Sequence, residues 1–217
     1  MTKIGVLVSG NGTNLQAIID RIADGALNAC RIAVVISSRS NAYALERAKS
    51  AGIPGVCVLR KKNGAPEEYD EAILETLKRY EVDLAVTAGF LTIFGNTVTD
   101  AYPNRIINVH PALVPSFCGK GFYGLEPHRK ALEYGVKLTG ATTHFITPET
   151  DAGPVIMQKA VAVKDEDTPE SLQQRVMIEA EQVILPESIR LFSENRLHII
   201  GRRVYIDPPC QGGAANE

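Results

Sequence analysis

Residues 3–22, KIGVLVSGNGTNLQAIIDRI, read as a strand, a glycine-rich turn and a helix, and this unit decides the fold. The apolar run from Lys3 to Val8 predicts a buried strand, and the apolar residues between Leu15 and Ile22 recur at the spacing of one helix face. Glycines at positions 10 and 12 let the backbone approach a ligand, and the following helix offers unpaired N–H groups. The segment therefore predicts an anion-binding loop, with a plain turn capped by Asn or Ser as the alternative.

The same alternation of strand and helix continues along the chain. Apolar runs predict strands at 30–36, 56–59, 84–88 and 106–109, and amphipathic patterns predict helices at 42–51 and 67–80. Later patterns predict a helix from about 127, strands at 138–146 and 155–163, a long helix from Thr168-Pro169 towards Arg196, and a hairpin of 197–200 with 204–206. Strands that alternate with helices pair through parallel crossovers, so we expect an α/β fold with a doubly wound, mostly parallel sheet in a single domain of 1–217. The tail 207–217 ends in small and polar residues and is expected to fray.

Composition and charge argue against several classes of protein. The chain has 23 Lys and Arg residues against 25 Asp and Glu residues, a net charge of −2 that argues against nucleic acid as a partner. Its apolar runs are too short for a membrane span or a signal peptide. Cys30, Cys57, Cys118 and Cys210 lie far apart without metal-ligand spacing, so we expect free thiols, no metal and a cytoplasmic protein.

Polar side chains lie at the end of the predicted fifth strand. Asn108 and His110 are two positions apart, so both project to one side of the strand while Val109 projects to the other. At the carboxyl end of a strand such a pair can polarise a carbonyl group, although a buried structural His is an equally open interpretation. Asp151 lies in a turn before another strand, where its carboxylate either caps the turn or reaches across the cleft.

Several motifs together carry a resemblance to a known family. They are VSGNGTNL at 8–15, AGF at 88–90, NVHPALVP at 108–115, and HF at 144–145 followed by DAGP at 151–154. Their order and spacing, from about Lys3 to Arg196, resemble the phosphoribosylglycinamide formyltransferases. The resemblance implies a Rossmann-like formyltransferase fold, and transfer of a formyl group from 10-formyltetrahydrofolate to the amine of glycinamide ribonucleotide in purine biosynthesis. It also implies that these small molecules are the partners, and we expect a monomer or a homodimer.

The resemblance assigns a phosphate-binding half of about 1–105 and a catalytic and folate half of about 106–200. It implies that Asn108, His110 and Asp151 act in catalysis. A carboxylate near His110 favours the charged form of that residue, and His144 either orients the Asp151 turn or acts directly. It implies the substrate phosphate at Asn11, Gly12, Thr13 and Asn14, the ribose at Glu181, and the folate in an apolar slot of Phe90, Leu91, Thr92 and Ile93. Thr92 stands where many members have Arg, and Glu181 is offset by one residue relative to Arg175-Val176.

Other functions stay open on the same residues. Formyltetrahydrofolate deformylases, methionyl-tRNA formyltransferases and sugar-nucleotide formyltransferases share the Asn, His and Asp pattern. The first predicted strand begins at about Lys3 and the last ends at 206, so we expect neither an amino-terminal regulatory domain nor a carboxyl-terminal tRNA-binding barrel. A non-catalytic nucleotide-binding module is the alternative from another class, and the presence of Asn108, His110 and Asp151 together argues against it.

Overall fold

The computed structural model describes residues 1–61 and 63–208, and its elements follow most of the predicted pattern. The strands are β1 (Thr2–Val8), β2 (Cys30–Ser37), β3 (Gly55–Cys57), β4 (Leu84–Thr87), β5 (Ile106–His110), β6 (Leu138–Phe145), β7 (Val155–Ala162), β8 (Leu197–Ile200) and β9 (Arg203–Ile206). The helices are α1 (Thr13–Ala23), α2 (Tyr43–Ser50), α3 (Pro66–Arg79), α4 (Asn96–Ala101), α5 (Glu126–Tyr134), α6 (Pro169–Val176) and α7 (Gln182–Ser193). A π-helical turn (Met177–Glu181) joins α6 to α7.

Within the described residues nine strands form one sheet, in the order β3-β2-β1-β4-β5-β6-β7-β9-β8. The strands from β3 to β5 in this order pair in parallel, as the alternation predicts. Beyond β5 the pairing is mixed, because β6 is antiparallel to both of its neighbours and β9 is parallel to β7. The predicted class, a doubly wound and mostly parallel sheet, is confirmed. The strand order reverses between β1 and β4, where open α/β sheets bind ligands beyond the carboxyl ends of the strands.

The side chains of β1 alternate between two apolar cores. Ile4, Val6 and Val8 belong to the core that includes residues of α1 and α7, whereas Leu7 belongs to the core that includes residues of α3 and α4. Parallel crossovers place helices on both faces of a sheet, which is why both sides of β1 are apolar. This buried framework fixes the positions at which β1, β4 and β5 end.

Two elements differ from the predicted local structure. The long helix predicted from Thr168 is interrupted after Val176 by the π-helical turn. The sequence patterns missed α4, because six residues carry too short a periodicity. At the first residue of the predicted tail, the N–H of Asp207 donates to the Arg196 carbonyl at 2.9 Å, and the fraying of the tail stays a prediction. The remainder of the predicted tail, from residue 209, lies outside the described residues.

The sequence composition also makes predictions about the cysteines and the helices. Cys30, Cys57 and Cys118 are free thiols, while Cys210 lies outside the described residues. In residues 1–61 and 63–208 no helix is both long enough and apolar enough to cross a membrane.

Candidate active site

A cavity of about 390 Å³ opens where β4 and β5 end. Its walls include the segment 89–94 after β4, the loop 119–124 and the segment 146–151. Asn108, His110, His144 and Asp151 also line it, so the structure brings together the side chains for which the sequence predicts chemistry. The position agrees with the rule that open α/β sheets bind ligands at the carboxyl ends of their strands.

Asn108 is held at both ends of its side-chain amide. Its Oδ1 accepts a hydrogen bond from the hydroxyl of Thr87 at 2.7 Å. Its Nδ2 lies 3.1 Å from Nε2 of His144, whose Nδ1 lies 3.0 Å from the carbonyl oxygen of Phe145. A carbonyl oxygen can only accept, so we assign the His144 proton to Nδ1, which leaves Nε2 to accept from Asn108. The second N–H of the Asn108 amide is then available to a ligand in the cavity.

His110 and Asp151 form a buried pair beside the cavity. Nδ1 of His110 is 3.5 Å from Oδ2 of Asp151, and Nε2 of His110 donates to the carbonyl oxygen of Phe117 at 2.9 Å. Asp151 also accepts the N–H of Gly119 at 2.8 Å, and its Oδ1 lies 3.6 Å from Nε2 of His144. The carboxylate therefore reaches across the cleft, and the structure favours this interpretation over a local turn cap.

The turn that carries Asp151 has specific backbone requirements. Asp151 has a φ of 52°, a left-handed conformation that Asp and Asn tolerate better than most residues. A Cβ at Gly153 would overlap the carbonyl group of Phe145, so glycine is required for the turn to pack against the end of β6. Because His144 precedes Phe145, this close approach brings Asp151 beside His144.

Burial and neighbouring groups shift both members of the His110–Asp151 pair. Burial lowers the pKa of His110, and the charge of Asp151 and the hydrogen bond to Phe117 oppose that shift without reversing it. The expectation that Asp151 favours the charged form of His110 agrees with the direction of the effect that Asp151 itself has, but burial outweighs that effect. Burial acts to raise the pKa of Asp151, but His144 and His110, when their rings are protonated, together with the Gly119 N–H, outweigh it and lower that pKa. At neutral pH an ionised Asp151 accordingly lies beside a neutral His110.

Glu181 is a second buried carboxyl group on the same cavity. Its Oε2 accepts a hydrogen bond from Nδ2 of Asn14 at 2.7 Å, across 167 residues of sequence. Burial raises the pKa of Glu181 to about 6, although the Asn14 bond opposes the shift. Oδ1 of Asn14 is buried without a hydrogen-bond partner among the described residues, which is unusual for a buried polar atom. Glu181 is the last residue of the π-helical turn that follows Val176.

The loop between β1 and α1 is packed more closely than its sequence indicates. Gly12 precedes α1 with a φ of 70°, and a Cβ there would lie 2.7 Å from the Cβ of Ala44 on α2. Among the described residues no side chain caps α1, so the alternative of a turn capped by Asn or Ser is wrong. Nε of Arg47 donates to the Asn11 carbonyl at 2.8 Å and holds the loop. The residues that line the cavity do not include Asn11, Gly12, Thr13 or Asn14, and the phosphate assignment stays a prediction.

The wall at 89–94 contains all the residues predicted for the folate slot. Phe90, Leu91, Thr92 and Ile93 line the cavity, and Leu91 and Ile93 are 48% and 60% exposed. The N–H of Leu91 donates to Oγ of Ser9 at 3.0 Å, which connects this wall to the segment after β1. The geometry fits a flat apolar ligand, and the assignment of that ligand as a folate stays a prediction.

Sequence reasoning missed several polar residues at the cavity. Thr87 ends β4 and contacts Asn108, and the signal that points to it is a polar residue closing an apolar strand. Lys120 lines the cavity from the loop 119–124, and no other Lys or Arg is among the lining residues that the structure describes. Nothing in the sequence pattern around Lys120 distinguishes it from a surface residue. His128 on α5 is fully buried, does not line the cavity, and has its pKa lowered to about 4 by burial.

The chain is similar over its length to proteins with known names. A family model described as Formyl transferase matches residues 2–189. Phosphoribosylglycinamide formyltransferase of Haemophilus influenzae is 39% identical over 219 residues, with all of both chains covered. The Escherichia coli protein of the same name is 36% identical over 218 residues, covering 99% of this chain and all of that protein. The crystal structure of glycinamide ribonucleotide transformylase 1 from Symbiobacterium toebii has a TM-score of 0.89 at 48% identity, covering 95% of this chain and 94% of that chain.

Proposed function

Because the chain belongs to the formyl transferase family, we propose that it transfers a formyl group from 10-formyltetrahydrofolate to the amine of glycinamide ribonucleotide. The products are formylglycinamide ribonucleotide and tetrahydrofolate, in a step of purine biosynthesis. The observation that carries the proposal is that Asn108, His110 and Asp151 line one cavity. An amide donor, an imidazole and a carboxylate are the groups that formyl transfer between two nitrogens requires.

Asn108 supplies the hydrogen bond to the formyl oxygen. That oxygen gains negative charge when the amine attacks the formyl carbon, and a donor already in position stabilises the charge without reorganising. The contacts with Thr87 and His144 hold the Asn108 amide before the substrate arrives. The loss of one such donor lowers kcat by about 100-fold to 1,000-fold in other acyl-transfer enzymes.

His110 and Asp151 carry the proton that formyl transfer must move. The attacking amine loses a proton as its bond to the formyl carbon forms, and the leaving folate nitrogen gains one as its own bond breaks. A proton taken up by neutral His110 is stabilised by the ionised Asp151, which lies 3.5 Å from Nδ1. This separation is longer than a hydrogen bond, so both groups can also bond to substrate nitrogens or to a water between them.

Different walls of the site suit the two substrates. The apolar side chains of Phe90, Leu91 and Ile93 fit the flat heterocycle of the folate, which supplies the formyl group when bound. The carboxyl group of Glu181, which lines the cavity and is held by Asn14, fits a ribose, because its oxygens accept hydrogen bonds from hydroxyl groups. The start of α1 after Gly12 offers unpaired N–H groups and a partial positive charge to the phosphate.

The proposed reaction uses protein side chains alone. Asn108 stabilises the negative charge and the His110–Asp151 pair moves the proton, so the reaction is proposed to need no metal. The protein acts on two small molecules in the cytoplasm, as a monomer or a homodimer.

The experiment that tests this function follows the folate product by its absorbance. Purified protein is mixed with 10-formyltetrahydrofolate, with and without glycinamide ribonucleotide, and the Asn108→Ala variant serves as the matched control. We expect product only when the ribonucleotide is present and a loss of at least about 100-fold in the variant. Equal rates with and without the ribonucleotide would instead identify a hydrolase that releases formate. No product under either condition, from folded protein, would contradict formyl transfer altogether.

A further inference from the structure

The hydroxyl of Thr87 touches the catalytic amide from the neighbouring strand. Thr87 is the last residue of β4, is 2% exposed, and pairs in register with Asn108 on β5. Its Oγ1 lies 2.7 Å from Oδ1 of Asn108, whereas its distance to the Ile107 carbonyl oxygen is 3.5 Å. Since Oδ1 of the amide can only accept, the hydroxyl proton is directed at Asn108.

The opposite end of the amide has a partner that can only accept. Nδ2 of Asn108 faces Nε2 of His144, and the Phe145 carbonyl takes the proton on Nδ1 of that ring. If the Asn108 amide rotated by half a turn, its oxygen would face His144 and would need a proton on Nε2 as well. The oxygen would then also replace the N–H that faces the formyl group. Thr87 opposes that rotation, because in the rotated form its hydroxyl would accept from Nδ2 and its own proton would have to turn to the Ile107 carbonyl oxygen at 3.5 Å, a weaker hydrogen bond than the one at 2.7 Å to Oδ1.

We propose that Thr87 is a positioning residue that holds the Asn108 amide with its N–H, rather than its oxygen, towards the formyl oxygen. The expected fall in turnover rests on the proposed function, whereas the orientation of the Asn108 amide rests on the contacts of Thr87 alone. In a variant without the hydroxyl, Oδ1 of Asn108 is a buried acceptor without its donor, and the rotated amide becomes populated. A rotated amide presents an oxygen to the developing negative charge, so turnover falls while substrate binding changes little.

The kinetic test compares Thr87→Val, which keeps the shape and removes the hydroxyl, with Thr87→Ser, which keeps the hydroxyl. Thr76→Val is the matched control, because Thr76 is also 2% exposed and bonds only to a carbonyl within α3, outside the cavity. We expect Thr87→Val to lower kcat by roughly 10-fold to 100-fold with both KM values within about twofold. Thr87→Ser should recover kcat to within about threefold, and Thr76→Val should leave it unchanged.

Two further measurements separate positioning from a general loss of structure. In an Asn108→Ala background, Thr87→Val should cause no additional loss of kcat, because the amide on which Thr87 acts is gone. Without substrates, the side-chain amide protons of Asn108 should exchange with water more rapidly in Thr87→Val than in the parent protein, as seen by nuclear magnetic resonance. If the valine form does not fold, Thr87→Ala takes its place in both measurements.

The outcomes test formyl transfer and the role of Thr87 separately. A parent protein that transfers no formyl group contradicts the proposed function, whereas the amide exchange still decides the role of Thr87. Normal kcat in Thr87→Val, failure of Thr87→Ser to recover kcat, or an equal loss in the Asn108→Ala background would each overturn the positioning role. Unchanged exchange of the Asn108 amide protons would overturn it as well.

Discussion

Asp151 and Glu181 are both buried carboxyl groups on one cavity, yet their surroundings drive their pKa values in opposite directions. Asp151 faces two imidazoles and a backbone N–H, and these partners lower its pKa despite burial. Glu181 has the amide of Asn14 as its hydrogen-bond donor, and burial raises its pKa to about 6. The number and charge of the donors, rather than depth alone, decide whether a buried carboxyl group stays ionised.

This difference matches the work proposed for each group. Asp151 stabilises a positive charge on His110, which requires a negative charge at working pH. Glu181 receives hydroxyl groups of a ribose, and a carboxyl group near its titration point can accept such bonds without a buried cation to balance it. A carboxyl group is therefore proposed to supply negative charge at Asp151 and hydrogen-bond acceptors at Glu181.

The largest expected effect comes from Asp151→Asn. The substitution keeps the left-handed backbone and an acceptor for the Gly119 N–H. It removes the negative charge that raises the pKa of His110 against the effect of burial. The pKa of His110 then falls further, and we expect kcat to drop by roughly two to four orders of magnitude with little change in Tm. Asp207→Asn is the matched control, because it removes a carboxylate from the exposed His198 pair outside the cavity. Near-normal turnover of Asp151→Asn across pH would leave Asp151 a role in the turn only.

Glu181→Gln should act on binding instead of turnover. Gln keeps an acceptor for Asn14 but loses the stronger, charge-assisted bonds to hydroxyl groups, so KM for the ribonucleotide should rise by roughly 10-fold to 100-fold. KM for the folate and kcat should change much less. Glu179→Gln, on an exposed residue of the same π-helical turn, controls for loss of charge in that segment. A fall in kcat without a rise in KM would contradict the binding role of Glu181 and give both carboxyl groups a role in turnover.

The same Glu181→Gln variant should be more stable than the parent protein at alkaline pH. A carboxyl group whose pKa rises from 4.5 to about 6 on folding stabilises the folded state fully below about 4.5, and this contribution is lost as pH rises through about 6. At about 1.4 kcal/mol for each pKa unit, the loss is about 2 kcal/mol. Urea unfolding at pH 4.5 and pH 8 should therefore show the variant gaining about that much relative to the parent. A constant difference between the two pH values would contradict the raised pKa.

The smallest expected effect comes from a third carboxylate at an exposed position. Leu91→Asp places a charge on the half-exposed apolar wall, where water solvates it and neither stability nor its own pKa should change greatly. We expect KM for the folate to rise by about 10-fold, because the apolar contact with a flat ring is lost. Leu59→Asp, at a residue that is 58% exposed against 48% for Leu91 and is absent from the cavity wall, should leave both KM values unchanged. A larger rise in KM for the ribonucleotide than for the folate would place the folate elsewhere.

Much of the fold followed from local patterns. The continuous apolar run of β1 indicates a strand that is buried on both faces, and the apolar spacing of three or four in α1 indicates which side of that helix is buried. The alternation of side chains along a strand places Asn108 and His110 on one side of β5. Patterns shorter than a few turns, as in α4, and a local change of winding, as in the π-helical turn, carry no such signal.

The sequence by itself determined the alternation of strand and helix, the family resemblance, and the side chains with chemistry at the ends of the strands. Only the tertiary structure decided which partners those side chains meet, such as Asn14 with Glu181 and Thr87 with Asn108. It also decided that burial outweighs Asp151 and lowers the pKa of His110. The physical reason is that hydrophobic periodicity is a local property of the chain, whereas hydrogen bonds and desolvation depend on what folding brings close in space.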